Sequence, residues 1–260
     1  MDSEFFNNLT LFHWVLLYVS GIIVGFAKTG VAGIGILAVP IFAEIFPAEK
    51  SAGILLPVLC IADVLAVSYY RRHADWKKII PLIPWVSAGL AVATWFYFSG
   101  RQSGTFMETF IKSYMKPAMG IIVLIVLGLS LWREKHKEVP EEGTLIAVGT
   151  GFSAGFTSML ANAAGPIMNI YLLVMKLPKQ AFIGTSAWFF LLINYVKLPL
   201  MYFGAGSITQ ESLKMNAALI PAVLLGGVMG IKTVKYIPED KFKRAVQILV
   251  FAACLKLIFD

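Results

Sequence analysis

The sequence predicts an all-α integral membrane protein made of two inverted repeats, each a broken or re-entrant helical hairpin followed by three transmembrane helices. Three observations lead there. Of 260 residues, 58% are hydrophobic and 14% charged, where a soluble domain carries about 45–50% and about 25%. Apolar runs long enough to cross roughly 30 Å of hydrocarbon recur between short charged breaks. Finally, one order of runs, a long one and then three ordinary ones, occurs twice along the chain.

The first repeat is assigned to residues 1–132, with a hairpin at 11–46 and spans at 51–70, 79–99 and 117–132. A connector at 133–142 follows. The second repeat, 143–260, has a hairpin at 144–175 and spans at 181–203, 213–234 and 242–259. Matching landmarks support the duplication. Pro47 and Gly53 after the first hairpin are echoed by Pro178 and Gly184, and Ile83-Pro84 with Gly89 by Ile220-Pro221 with Gly226. Each long region also runs from Gly-Phe to a proline, Gly25-Phe26 to Pro40 and Gly151-Phe152 to Pro166. Each is too long for one crossing and is interrupted by residues that weaken helices.

Positive charge chooses between a broken single crossing and a hairpin. With Lys28 and Lys197 set aside as lying inside apolar runs, a single crossing would divide the other Lys and Arg residues 9 to 11. A hairpin that returns to its own side divides them 14 to 6. Lys and Arg gather on the cytoplasmic side, which favours the hairpin. Each half then crosses an odd number of times, the second half is inserted upside down, and both termini lie outside the plasma membrane. The acidic Met1-Asp2-Ser3-Glu4 start lacks the basic region of a cleaved signal, so the first segment is expected to be retained.

The net charge of +7 is thus mainly a topology signal and does not point to nucleic acid. Cys60 and Cys254 lie in apolar runs without metal or disulfide spacing. No metal, cofactor or enzymatic motif is expected. The Gly33-Ile-Gly35-Ile-Leu-Ala38 stretch loosely matches a dinucleotide fingerprint, but Pro40 and the lack of a βαβ pattern exclude it.

The chemistry is expected at the two breaks, because irregular backbone at membrane depth must line a cavity or be buried in protein. Helix ends there offer N–H groups to an anion. In the first break the candidates are Lys28, Thr29, Gly30, Gly33 and Gly35. In the second they are Ser158, Asn162, Ala163 and Gly165. Asn169, Thr185, Ser186 and Asn194 add hydrogen-bonding capacity, although any one such residue more often serves a helix contact. Lys28 and Lys197 against Asp63 leave a net positive interior, which suits an anionic substrate. The plainer readings are a structural ion pair of Lys28 with Asp63 or Glu44, and a Lys197 that reaches back to the interface. Asp63 is a candidate for coupling or charge pairing. The pairs Gly21/Gly25, Gly151/Gly155 and Gly226/Gly230 read as sites of close helix packing.

The stretch from Gly25-Phe26-Ala27-Lys28-Thr29-Gly30-Val31-Ala32-Gly33-Ile34-Gly35 to Pro40, its echo from Gly151 to Pro166, and the duplicated short halves resemble the sulfite exporter TauE/SafE family. The resemblance implies a transporter, and by its name an exporter, of small sulfur-containing or organic anions such as sulfite or organosulfonates. Lys28, and Ile34 and Ile36 around Gly35, depart from the family pattern. A carrier of this kind is expected to meet a small anionic substrate, the lipid bilayer, a proton or sodium as coupling ion, and a second copy of the chain. An anion channel and a non-transporting membrane subunit are the rival readings.

Overall fold

The computed structural model describes residues 9–46, 48–103 and 144–259. The span expected at 117–132, the connector at 133–142 and the Pro47 landmark lie outside these residues. The described residues are helical, with four helices or helical stretches apolar and long enough to cross a membrane: Leu11–Thr29, Lys50–His73, Trp76–Phe96 and Lys179–Gly204. A fifth span arises if Gln210–Ala218 and Ile220–Tyr236, bent by 45°, count as one.

The chain divides into two compact units. The first holds the described part of Met1–Ala74 together with Ile183–Pro238; the second holds Asp75–Phe182 and Glu239–Asp260. These units do not follow the halves of the sequence. Each combines the hairpin of one half with spans of the other, because the glycine surfaces that pair most closely come from different halves.

In the first unit, helix α1 (Leu11–Thr29) starts at Thr10, whose hydroxyl accepts from His13 N–H while His13 Nδ1 accepts from Thr10 N–H. This reciprocal pair satisfies donors that a helix start leaves open. A 3-10 turn (Ile34–Leu37) and α2 (Ala38–Ile45) lead to α3 (Ala48–Tyr70). The ends of α1 and α3 meet: Tyr70 O–H donates to the Thr29 carbonyl at 2.9 Å. Both are the last residues of their helices, so α1 and α3 run parallel.

Pro57 interrupts the hydrogen-bond ladder of α3, and Asn216 Nδ2 donates to the Ile54 carbonyl in the weakened turn at 3.0 Å. Leu17, Val24, Phe42, Ile54, Leu55, Val58, Met215, Leu219 and Val223 form the buried core around these helices.

Helix α10 (Ile220–Tyr236) lies against α1 along its glycines. A Cβ at Gly25 would overlap the Val223 carbonyl, and one at Gly226 would overlap the Ile22 carbonyl. The backbones touch, so neither position admits a side chain. The 45° bend before α10 was not expected within a span at 213–234. It has a local cause: Pro221, near the start of α10, has no N–H to continue the preceding α9 (Gln210–Ala218).

In the second unit, α4 (Trp76–Ile79) leads through Ile80–Leu82 into α5 (Ile83–Ser103), and α6 (Thr144–Ala161) packs along α5. The contact has the same form as in the first unit. A Cβ at Gly89 would overlap the Phe152 carbonyl, and one at Gly155 the Val86 carbonyl. Helix α7 (Ala164–Val174) follows, and packs on α11 (Glu239–Phe259). Tyr171 O–H donates to the Lys78 carbonyl at 3.0 Å. Helix α8 (Lys179–Pro199) belongs to the first unit from Ile183 onward and continues there into a π turn at Leu200–Gly204, where Pro199 disturbs the regular ladder.

Candidate functional site

Four residues singled out in the sequence gather in the first unit. Lys28, in the last turn of α1, places its Nζ 2.7 Å from Asp63 Oδ1. Asn194 of α8 donates through Nδ2 to Asp63 Oδ2, also at 2.7 Å. Lys197, three residues further along α8, is fully buried and interacts electrostatically with Asp63, Lys28 and Cys60. It does not reach back to an interface; its ammonium is inside the unit. Glu44, the other acid considered for Lys28, is exposed.

The depth of this cluster follows from where its residues fall in their helices. Asp63 is the fourteenth residue of the 24-residue apolar stretch Lys50–His73, and Asn194 the sixteenth of the 26 in Lys179–Gly204. Both lie near the middle of membrane-length elements. Helix α1 brings Lys28 to Asp63 from its final turn, so the polypeptide breaks a short way from the charges. The α1 C-terminus carries partial negative charge, which favours an ammonium in that last turn.

Burial sets the energy scale. The Asp63 side chain is 0% exposed and that of Lys28 15%. Removing one partner of a buried ion pair typically costs about 3–5 kcal/mol, because the other charge is left uncompensated. Lys28 has a further contact that the sequence reading missed: its Nζ lies 3.9 Å from the centroid of the Phe190 ring. A cation held over an aromatic face is attracted by the ring quadrupole. The available signal was spacing, since Ser186, Phe190 and Asn194 succeed one another at i, i+4 and i+8 along one face of α8. Cys60 was read as a small hydrophobe; it lies one turn before Asp63 and interacts electrostatically with it.

Around the first break, some predicted groups are already occupied by the fold. Thr29 Oγ1 lies within donating distance of the Gly227 carbonyl, 2.8 Å, and the Gly25 carbonyl, 3.0 Å. Its single proton is shared between helix packing and its own helix. Gly30 N–H donates to the Phe26 carbonyl at 2.8 Å, and a Cβ at Gly30 would press on Gly230. Gly30 therefore closes α1 and permits the crossing with α10. Gly33 has φ 109°, a conformation side chains resist, and it turns the chain toward Gly35 and the 3-10 turn. A Cβ at Gly35 would lie 3.1 Å from Ala27 Cβ. Thr185 and Ser186 are buried in the first unit as well.

The second break belongs to the second unit. Helix α6 ends at Ala161, and Asn162 adopts φ 52°, the left-handed conformation that Asn tolerates best after Gly. Asn162 N–H donates to Ser158 and Ala163 N–H to Thr157, so both amides finish α6. The first turn of α7 then presents the N–H groups of Ala164 and Gly165, which have no acceptor four residues back in their own helix. Gly165 is unlike the packed glycines: a Cβ there would have nothing within 4 Å. Ser158 and Asn169 are buried, and Asn169 Oδ1 has no hydrogen-bond partner among the described residues.

A family model described as sulfite exporter TauE/SafE matches residues 17–257. The chain belongs to that family. The match covers nearly its whole length, both breaks and the cluster around Asp63 included. With its membrane-length helices, the protein is a multi-pass membrane protein of a family of transporters of sulfur anions such as sulfite. It is not a family of enzymes. Neither curated proteins nor solved structures gave a match.

Proposed function

We propose that this TauE/SafE member is a gradient-driven transporter that exports small sulfur-containing or organic anions, sulfite and organosulfonates among them, across the plasma membrane. The observation that carries this reading is the mid-span cluster of two lysines, Lys28 and Lys197, with a single carboxylate, Asp63. Its formal charges sum to one positive. Ionisable groups inside a membrane protein are costly and are retained for a use. A cluster richer in lysine than in carboxylate suits a small anion.

In this reading Lys28 and Lys197 hold the anion by charge, and Ser186 and Asn194 lie along the α8 face that lines it. Gly33 and Gly35 let the chain turn away beside the charges. The first turn of α7, at Gly165 with Ser158, Asn162 and Ala163 before it, offers a half-helix N-terminus in the second unit. Carriers built of inverted halves work by alternating access. Thr29 and Gly30 are assigned a supporting part: they tie the end of α1 to α10 and so fix Lys28.

The test is a panel of sulfite, organosulfonates, carboxylates and sulfate offered to the purified chain reconstituted in proteoliposomes. Saturable flux of one anion class is expected, with the same anion raising thermal stability because it binds the folded state. Flux that grows linearly with concentration is the behaviour of a channel and would replace the carrier reading. No flux of any anion would remove transport.

A further inference from the structure

We infer that Asp63 is the proton-coupling group of this transporter: it takes up one proton when a divalent substrate anion takes over its lysine and gives the proton back when the anion leaves. The inference rests on the reading of the cluster as the anion site.

The partners of Asp63 favour a proton over a metal cation at this position. Oδ1 faces the Lys28 ammonium and Oδ2 the Asn194 amide, each at 2.7 Å. Both are N–H donors. A hard cation such as sodium is held by several oxygen atoms, and positive hydrogens in their place repel it. A proton needs one lone pair and a donor beside it, which is what Oδ1 has.

Charge balance says when the proton is needed. With both lysines protonated and Asp63 ionised, the cluster carries one positive formal charge. A monovalent anion brings it to zero. A divalent anion leaves it at one negative until the carboxylate accepts a proton, after which the loaded cluster is again neutral. Moving a neutral site through the membrane avoids the cost of carrying net charge.

The route is short. Lys28 Nζ passes a proton to Asp63 Oδ1, breaking one N–H bond and forming one O–H bond. Lys28, the more exposed member of the pair at 15% against 0% for Asp63, then regains a proton from a hydronium ion or buffer acid of the solution. One proton has entered from solution and nothing else has changed. The Phe190 ring at 3.9 Å holds the ammonium in place once the carboxylate is neutral. The other titratable groups interacting with this centre are Lys197 from α8 and Cys60 from the same helix. On the remaining helices packed against α3, Glu44, Lys214, Lys232 and Lys235 are exposed and Glu211 is half-buried in the first turn of α9.

The full chain in proteoliposomes, with a pH-sensitive dye in the lumen, tests this with a divalent anion of the panel, sulfite or sulfate; carriage of monovalent anions alone overturns the inference. An imposed pH gradient is expected to drive wild-type flux against the anion gradient, and a sodium gradient to have no effect. Asp63→Asn is expected to lose the response to the pH gradient and to move one proton fewer per anion. Protons that ride on sulfite itself are common to both proteins and cancel in that difference. If Asp63→Asn carries nothing, the wild type decides the case by itself: flux driven by sodium, or flux indifferent to both gradients, overturns the inference. Anion flux without coupled protons leaves the transporter reading standing and removes only the coupling; absence of all flux removes both.

Discussion

The two breaks occupy equivalent places in the two halves, yet they are built differently. At the first, glycine serves packing: Gly30 lies on Gly230, and Thr29 bonds across to the Gly227 carbonyl. At the second, the left-handed turn falls to Asn162, and Gly165 lies beside open space. Charge differs as well. Lys28 pairs with Asp63 next to the first break, whereas the second, from Ser158 to Pro166, has no ionisable residue of its own. The backbone is interrupted at both places, and the ionic chemistry lies at the first. A glycine at a helix break is therefore no guide to its role until its neighbours are known.

The comparison breaks most severely at the crossings that hold each hairpin. Replacing Gly226 by Leu in the first unit, or Gly155 by Leu in the second, forces backbones apart. Each is expected to remove most of the folded protein, since overpacking a close contact costs about 1–3 kcal/mol and occasionally more. Yield and thermal unfolding in detergent would show it; a wild-type melting curve would mean that the helices do not touch there.

The next effect distinguishes the breaks by charge. Lys28→Met strands a buried carboxylate and is expected to destabilise by about 3–5 kcal/mol. Adding Asp63→Asn to it should recover most of that loss in a double-mutant cycle. Additive losses would mean that the two residues do not interact.

A smaller effect separates support from chemistry at the first break. Thr29→Val keeps the shape and loses the hydroxyl, leaving the Gly227 carbonyl without that donor. A loss of about 1 kcal/mol is expected by chemical or thermal unfolding, with Thr29→Ser recovering part of it.

Gly165→Ala is expected to change stability least, because the added methyl meets nothing in the fold. Helix propensity even favours alanine there. Anion flux should nevertheless fall, since the methyl would crowd the N–H groups at the first turn of α7. Wild-type flux in this variant would take the first turn of α7 out of the site.

Much of this was legible in the sequence, for identifiable reasons. Composition and run length report the solvent around the helices, so the membrane class followed from them directly. Glycine and proline report backbone interruptions, and the breaks at Gly30 to Gly33 and at Asn162-Ala163 fall inside the stretches that those residues marked. Lys28, Asp63 and Lys197 stood out because charge in an apolar run is rare. The pairing of hairpins with spans from the other half was not legible, since single-sequence periodicity carries no information on which helix meets which. Phe190 was overlooked because an aromatic residue in a membrane helix is ordinary until a cation is found over its ring. Thr29 and Gly30 looked like ligand groups because their bonds to Gly227 and Phe26 exist only in the folded chain.

The central claim is that the charges around Asp63 bind the transported anion. The measurement that addresses it most directly is anion flux into proteoliposomes by the Lys28→Met, Asp63→Asn double variant, whose neutral pair keeps the fold while removing the ammonium at the end of α1. Flux reduced to the level of empty liposomes, with a melting temperature close to wild type, is the predicted result. Undiminished flux would contradict the account, because the anion would then cross without the Lys28 ammonium proposed to hold it.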